Sequence, residues 1–141
     1  MSVGWDRARG LAAAIPALAP VTLALDEAVG LVLVSDVVAM TDLPPGTVSA
    51  MDGWALAGSP PWTVVGEVSA GDGTPEPLRP GQATRVSTGA QLPAGSDAVL
   101  RREHGAEDDG VLHLRDGAHL PKAGRDVRTA GSECRAGDVV A

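Results

Sequence analysis

Asp42-Leu43-Pro44-Pro45-Gly46-Thr47-Val48-Ser49-Ala50-Met51-Asp52-Gly53-Trp54-Ala55 is where the chain changes character. Upstream, residues 31–38 are aliphatic and β-branched, the signature of a buried strand. From 42 to 48 the composition turns to Pro, Gly, Thr and Asp, which marks a boundary. Downstream, short apolar runs recur at 53–57, 62–68, 83–87, 97–101 and 111–115, separated by Gly- and Pro-rich turns. Asp108-Asp109-Gly110 is a hairpin signal between 101–103 and 111. The centre therefore reads as an all-β unit, a barrel or two bent sheets.

Outward toward the N-terminus, 5–18 reads as a short helix closed by Pro16 and Pro20. Residues 21–25 form a β-rich run, and 26–30 read as one helical turn ended by Gly30. Toward the C-terminus, 121–141 is another turn-and-strand segment. The composition agrees with a mainly β fold. There are 18 Gly and 11 Pro among 141 residues, and 44% of the chain is hydrophobic. With three Trp and no Phe or Tyr, the core must be aliphatic.

The net charge of −7 argues against nucleic acid, which needs a basic face, and against an anionic membrane surface. No apolar run reaches membrane-spanning length. The N-terminus carries Arg7 and Arg9, but the apolar run after it is broken by Pro16, so an amphipathic helix is favoured over a secretion signal. Cys134 is the single cysteine, which allows no internal disulfide and suits a cytoplasmic setting.

Three stretches are candidates for chemistry. Ser49-Ala50-Met51-Asp52 has the spacing of a capping box, yet the same carboxylate suits a hard cation such as magnesium or acid–base work. Spacing alone leaves both readings open. In residues 85–99, a strand ending at Thr88-Gly89 would place Arg85 and Ser87 on one face, with a hydroxyl and free backbone N–H groups available to an oxyanion. A plain strand followed by a proline loop remains the alternative. Ala70-Gly71-Asp72-Gly73-Thr74-Pro75 lacks dinucleotide spacing and reads as a loop. Arg101 and Arg102 should face opposite ways and so not form one clamp, while Glu103 either pairs with an arginine or stands on a cleft wall. His104, His113 and His119 lack metal-ligand spacing, and no Gly-x-Ser-x-Gly elbow is present.

Taken in order, these pieces resemble the N-terminal region of the MoeA/gephyrin family, the molybdopterin molybdotransferases. The resemblance rests on Ser49-Ala50-Met51-Asp52-Gly53-Trp54 and on Arg85-Val86-Ser87-Thr88-Gly89-Ala90-Gln91-Leu92-Pro93-Ala94-Gly95, with Glu103 shortly after. Gly124-Arg125-Asp126-Val127-Arg128 and Ala136-Gly137-Asp138 complete it. It implies bent and coiled β-sheets in two small subdomains with an N-terminal helix. In that arrangement 1–41 and 119–141 form a discontinuous linker domain, and 42–118 is an inserted β domain. It further implies insertion of molybdate into adenylylated molybdopterin with magnesium, and a homodimer or a heterodimer with a full-length relative.

By motif match the family's functional aspartate falls on Asp52 and its threonine on Thr88. Ser49, Arg85, Gly89 and Glu103 stand in the same motifs as expected substrate-binding residues, and no metal ligand is assigned. Gly46-Thr47 replaces the family's usual Phe-Asp. The family's large α/β domain, which holds the pterin, lies outside these 141 residues. This chain alone is therefore not expected to be catalytically complete, and a non-catalytic dimerisation or binding module is the alternative. Molybdopterin and molybdate are expected ligands only where a partner supplies that domain.

Overall fold

The computed structural model describes residues 3–141. Met1 and Ser2, at the start of the stretch weighed as a secretion signal, lie outside the described residues. The chain divides into two units, one up to Asp36 and the other Val37–Ala141.

In the first unit, helix α1 spans Trp5–Ala13 and buries no residue. The expected helix to Leu18 is too long. Pro16 disfavours helical backbone at Ile15, and the last turn closes on Ala14. The turn ending at Gly30 is present, with Ala28 N–H bonded to the Ala24 carbonyl and Gly30 at φ 86°. The expected strands at 21–25 and 31–38 are not formed. β-Branched runs favour a pleated, half-buried surface, but a strand also needs a neighbour to take its hydrogen bonds. Among the described residues neither run joins a sheet; only the end of the second, Val38, makes an isolated bridge, and Val32 is 91% exposed.

The second unit holds eight strands. These are β1 Val48–Ser49, β2 Gly53–Ala57, β3 Trp62–Val68, β4 Gln82–Val86, β5 Ala98–Arg101, β6 Gly105–Asp108, β7 Val111–Leu114 and β8 Val127–Arg128. Six form one sheet in the order β5-β2-β4-β3-β7-β6, and β1 pairs with β8 separately. All pairings are antiparallel except β3 with β4.

Alternation along β2 divides the core. Ala55 and Ala57 pack with Val68, Val86 and Val99, while Trp54 and Leu56 pack with Trp62, Leu100 and Leu112. The sheet curls around this second cluster. In a flat sheet β6 would lie four strand spacings from β2, about 19 Å. Instead Gly105 of β6 touches the Trp54 ring, and a Cβ there would stand 2.5 Å from ring atom Cζ3. Glu107, also on β6, reaches Trp54 Nε1 at 3.2 Å and the Arg85 guanidinium. Only a small residue at 105 permits that closure.

The Asp-Gly hairpin is formed. Asp109 and Gly110 both have positive φ, as a type I′ turn requires, and Asp108 pairs with Val111. Its first strand is β6, not 101–103, because Arg102–His104 tightens into a 3-10 turn. The remaining edges are tied by isolated bridges, Val38 with Val139 and Leu43 with Cys134. Among the described residues no helix is long and apolar enough to cross a membrane.

Candidate functional site

The stretch Ser49–Gly53 sits at one end of the curled sheet, and its backbone is held from several directions. Ser49 N–H donates to the Ala90 carbonyl at 2.9 Å, and the Ser49 carbonyl accepts from Gly89 N–H at 2.8 Å. Ala50 N–H donates to the Asp126 carbonyl, and Arg102 N–H donates to the Asp52 carbonyl. Gly53 pairs with Arg101 across the β2–β5 ladder. The capping-box reading fails here, because no helix follows and the chain enters β2 directly. The Ser49 hydroxyl closes a tight turn on itself, donating to the Met51 carbonyl at 2.6 Å and accepting from Met51 N–H.

That framework sets Asp52 against Thr88. Asp52 Oδ1 accepts both the Thr88 N–H at 2.7 Å and the Thr88 hydroxyl at 2.8 Å. Asp52 remains exposed, and among the described residues no hydrogen bond reaches Oδ2. The Thr88 amide, then its hydroxyl, hold this carboxyl below the ordinary carboxylate range. Slight desolvation opposes them, and the Arg102 charge adds to them. Asp52 is therefore an ionised, oriented carboxylate with one oxygen facing solvent.

The other expected site residues divide. Ser49 is buried and its hydroxyl is internally satisfied, so it positions the turn. Gly89 occupies a left-handed conformation at φ 84° that carries the loop past Ala70. The free N–H groups expected at Thr88-Gly89 are not free. Thr88 N–H goes to Asp52, Gly89 N–H to Ser49, and Ala90 N–H to the Ser87 carbonyl. A strand end leaves donors open only where the next loop does not fold back, and this loop does.

Arg85 is not brought to Asp52. It lies opposite Trp54 in the ladder and forms a two-point pair with Glu107. Glu103 is exposed on the 3-10 turn, beside a shallow depression shared with His104, Arg115 and His119. Sequence reasoning missed the roles of Arg102 and Asp126. Arg101 ends strand β5 and its guanidinium grips Asp126 at 2.8 and 3.0 Å, whereas Arg102 already belongs to the 3-10 turn. The signal for Arg102 was available: it is the first residue after a strand that ends beside Asp52.

Magnesium requires oxygen ligands, and it is held through one or two carboxylates with waters and substrate phosphates. Asp52 supplies one such carboxylate. Among the described residues no three His, Cys, Asp or Glu side chains gather to hold a metal ion. The ionised, exposed Asp52 oxygen fits the kind of ligand magnesium takes.

This combination, a curled β module presenting one ordered aspartate, belongs to a known class of proteins. Residues 3–141 match the MoeA N-terminal region, domains I and II. The chain is 30% identical to a molybdopterin molybdenumtransferase of Staphylococcus epidermidis over 131 residues, covering 85% of this chain and 30% of that protein. It is 34% identical to molybdopterin molybdenumtransferase 2 of Mycobacterium tuberculosis, covering 96% of this chain and 37% of the relative. The fold matches the crystal structure of a molybdopterin biosynthesis MoeA protein from Pyrococcus horikoshii at TM-score 0.73 and 32% identity, over 84% of this chain and 33% of that one. The chain belongs to the MoeA family and corresponds to its N-terminal region, spanning about a third of the length of these relatives.

Proposed function

We propose that this chain supplies one wall of a molybdotransferase site in molybdenum cofactor biosynthesis. In this reading Asp52 and Thr88 face adenylylated molybdopterin and molybdate held by a pterin-binding wall outside these 141 residues. Asp52 contributes a single carboxylate ligand to magnesium, and Thr88 fixes its orientation. The observation that carries the reading is the Asp52 carboxylate, held on one oxygen by two Thr88 donors and open on the other. A pterin pocket must be concave and largely preformed, and Asp52 and Thr88 are exposed and stand apart from the linings of the clefts at Val99 and Asp126, at Thr47 and Val127, and at Glu103 and His119. A cytoplasmic setting belongs to the same proposal.

The test is molybdate-dependent product formation with adenylylated molybdopterin and magnesium. The purified chain alone is expected to give none. Mixed with a relative lacking its own N-terminal region, it is expected to restore activity, and Asp52→Ala is expected to abolish that rescue. Turnover by the chain alone, or unchanged rescue by Asp52→Ala, would refute the reading.

A second reading has its own observation. Within the first unit Leu18, Leu25 and Val32 are 92%, 89% and 91% exposed, and other apolar side chains of that unit are exposed too. Exposed apolar surface on this scale marks an association site. We infer that the chain acts as a dimerisation module, as a homodimer or with a full-length relative. Light scattering that shows a strict monomer at high concentration would overturn this.

A further inference from the structure

The loop 119–126 runs beside strand β5 and is fixed to it by backbone bonds. Val99 N–H donates to the Arg125 carbonyl at 3.0 Å, and Gly124 N–H donates to the Asp97 carbonyl at 2.8 Å. Between loop and strand lies a cleft of about 310 Å³. Its charge is opposite to that of the chain. The protein carries −7, yet the cleft is lined by Arg101, Lys122 and Arg125, with His104 and His119. Lys122 is the only lysine in the sequence.

Asp126 is the one carboxylate on the wall, and its oxygens are occupied. Arg101 takes both of them, and Arg125 Nε stands 3.4 Å from Oδ2. Three cations against one carboxylate leave two positive charges even with both histidines neutral. Lys122 and Arg125 keep exposed side chains, so their donors are available. Val99, Leu120 and Pro121 supply an apolar wall beside these charges. Glu103 and Asp116 do not line this cleft; they stand on the neighbouring depression that shares the two histidines.

We propose that this cleft binds a small organic anion, a phosphate monoester or carboxylate with a short apolar body. Charged groups clustered in a concave, low-dielectric setting attract opposite charge far more strongly than scattered surface groups do. The anion would meet Lys122 and Arg125, and its body would lie on Leu120 and Pro121. Arg101 stays with Asp126 and shapes the wall. Asp52 does not line this cleft, so the proposal does not depend on the reading of that residue.

The experiment is an amide NMR titration of the full chain with phenyl phosphate, inorganic phosphate and phenol. Phenyl phosphate is expected to give saturable shifts confined to residues 99–104 and 119–126. Binding of inorganic phosphate should be weaker, and phenol should leave these amides unmoved. Lys122→Ala with Arg125→Ala should weaken phenyl phosphate by about tenfold or more while the rest of the spectrum is preserved. Both side chains are exposed, and the backbone bonds of the loop do not use them. Raising the salt concentration should weaken binding as well. Shifts scattered over the surface, equal shifts with phenol, or unchanged affinity in the double variant would overturn the proposal.

Discussion

Gly53→Ala tests whether the sheet end that carries Asp52 is built as described. A Cβ at residue 53 would stand 2.0 Å from the Leu100 carbonyl oxygen, 2.9 Å from its carbonyl carbon and 3.0 Å from Arg101 Cα. A carbon normally approaches a carbonyl oxygen to about 3.3 Å, so the overlap is about 1.3 Å. All three obstructing atoms are backbone, so no rotamer change relieves it. Strand β5 must move away from β2, and the pairs Gly53–Arg101 and Trp54–Leu100 break first. Overpacking that side chains can absorb costs about 1–3 kcal/mol. Here the cost should exceed about 3 kcal/mol, a large fraction of a domain's stability of about 5–15 kcal/mol.

The assay is urea denaturation followed by tryptophan fluorescence, since Trp54 and Trp62 are buried reporters. With a slope of about 2 kcal/mol per molar urea, the midpoint should fall by about 1.5 M or more. Gly66→Ala is the control. Gly66 is within β3, has no positive φ, and a Cβ there meets nothing within 4 Å. It should change stability by less than about 0.5 kcal/mol. If Gly53→Ala unfolds with the wild-type midpoint, the close approach of β2 to Leu100 is wrong, and so is the derived position of Asp52.

The other predictions test single contacts. Thr88→Val removes the hydroxyl bond to Asp52 but keeps the amide; the carboxyl pKa, read by NMR, should rise toward its ordinary value, and rescue of activity should fall by about tenfold. Thr88→Ser should restore both. Asp126 has its pKa lowered, first by the Arg101 hydrogen bond, so the unfolded chain binds more protons at acid pH and stability rises with pH. Its contribution is present above the ordinary carboxylate pKa and is lost as pH falls through the lowered folded value. Asp126→Asn should therefore lower stability at neutral pH and flatten the acid limb measured by denaturant titration at successive pH values. Trp54→Phe deletes the Nε1–H bond to Glu107 and should cost about 2 kcal/mol in the same urea assay, whereas a cost near zero would show that the sheet closes without it.

Much of the β unit was legible because its signals are local. Strands β2 and β3 fall at the expected residues, since apolar β-formers there are bounded by Gly and Pro. Asp109-Gly110 announced its own turn. A bent sheet was expected, but the contact that closes it was not legible, because Gly105 and Trp54 are 51 positions apart and no periodicity encodes their meeting. The parallel pairing of β3 with β4 also lies beyond local pattern. The opposite error occurred at 21–25 and 31–38, where composition reported strand-forming side chains but not whether a neighbouring strand exists. The mainly β fold with its N-terminal helix was nevertheless correct in class.

Spacing and resemblance point to different partners for Asp52. Ser49 and Asp52 are three apart, which suggests a cap, but the decisive partner of Asp52 is Thr88, 36 residues away. Only the paired motifs connected them. Motif matching carries residue types and not hydrogen-bond assignments. Arg85 is committed to Glu107, and the Ser49 hydroxyl to its own turn. The amides at 88–90 are taken up by the Asp52 carboxylate, the Ser49 carbonyl and the Ser87 carbonyl. An oxyanion therefore finds no donors in that loop. The same bonding is what leaves the Asp52 carboxylate fixed, charged and half unpartnered. A cation meets such a carboxylate better than an anion would, and this is the physical reason the proposed function gives Asp52 a magnesium-ligand role.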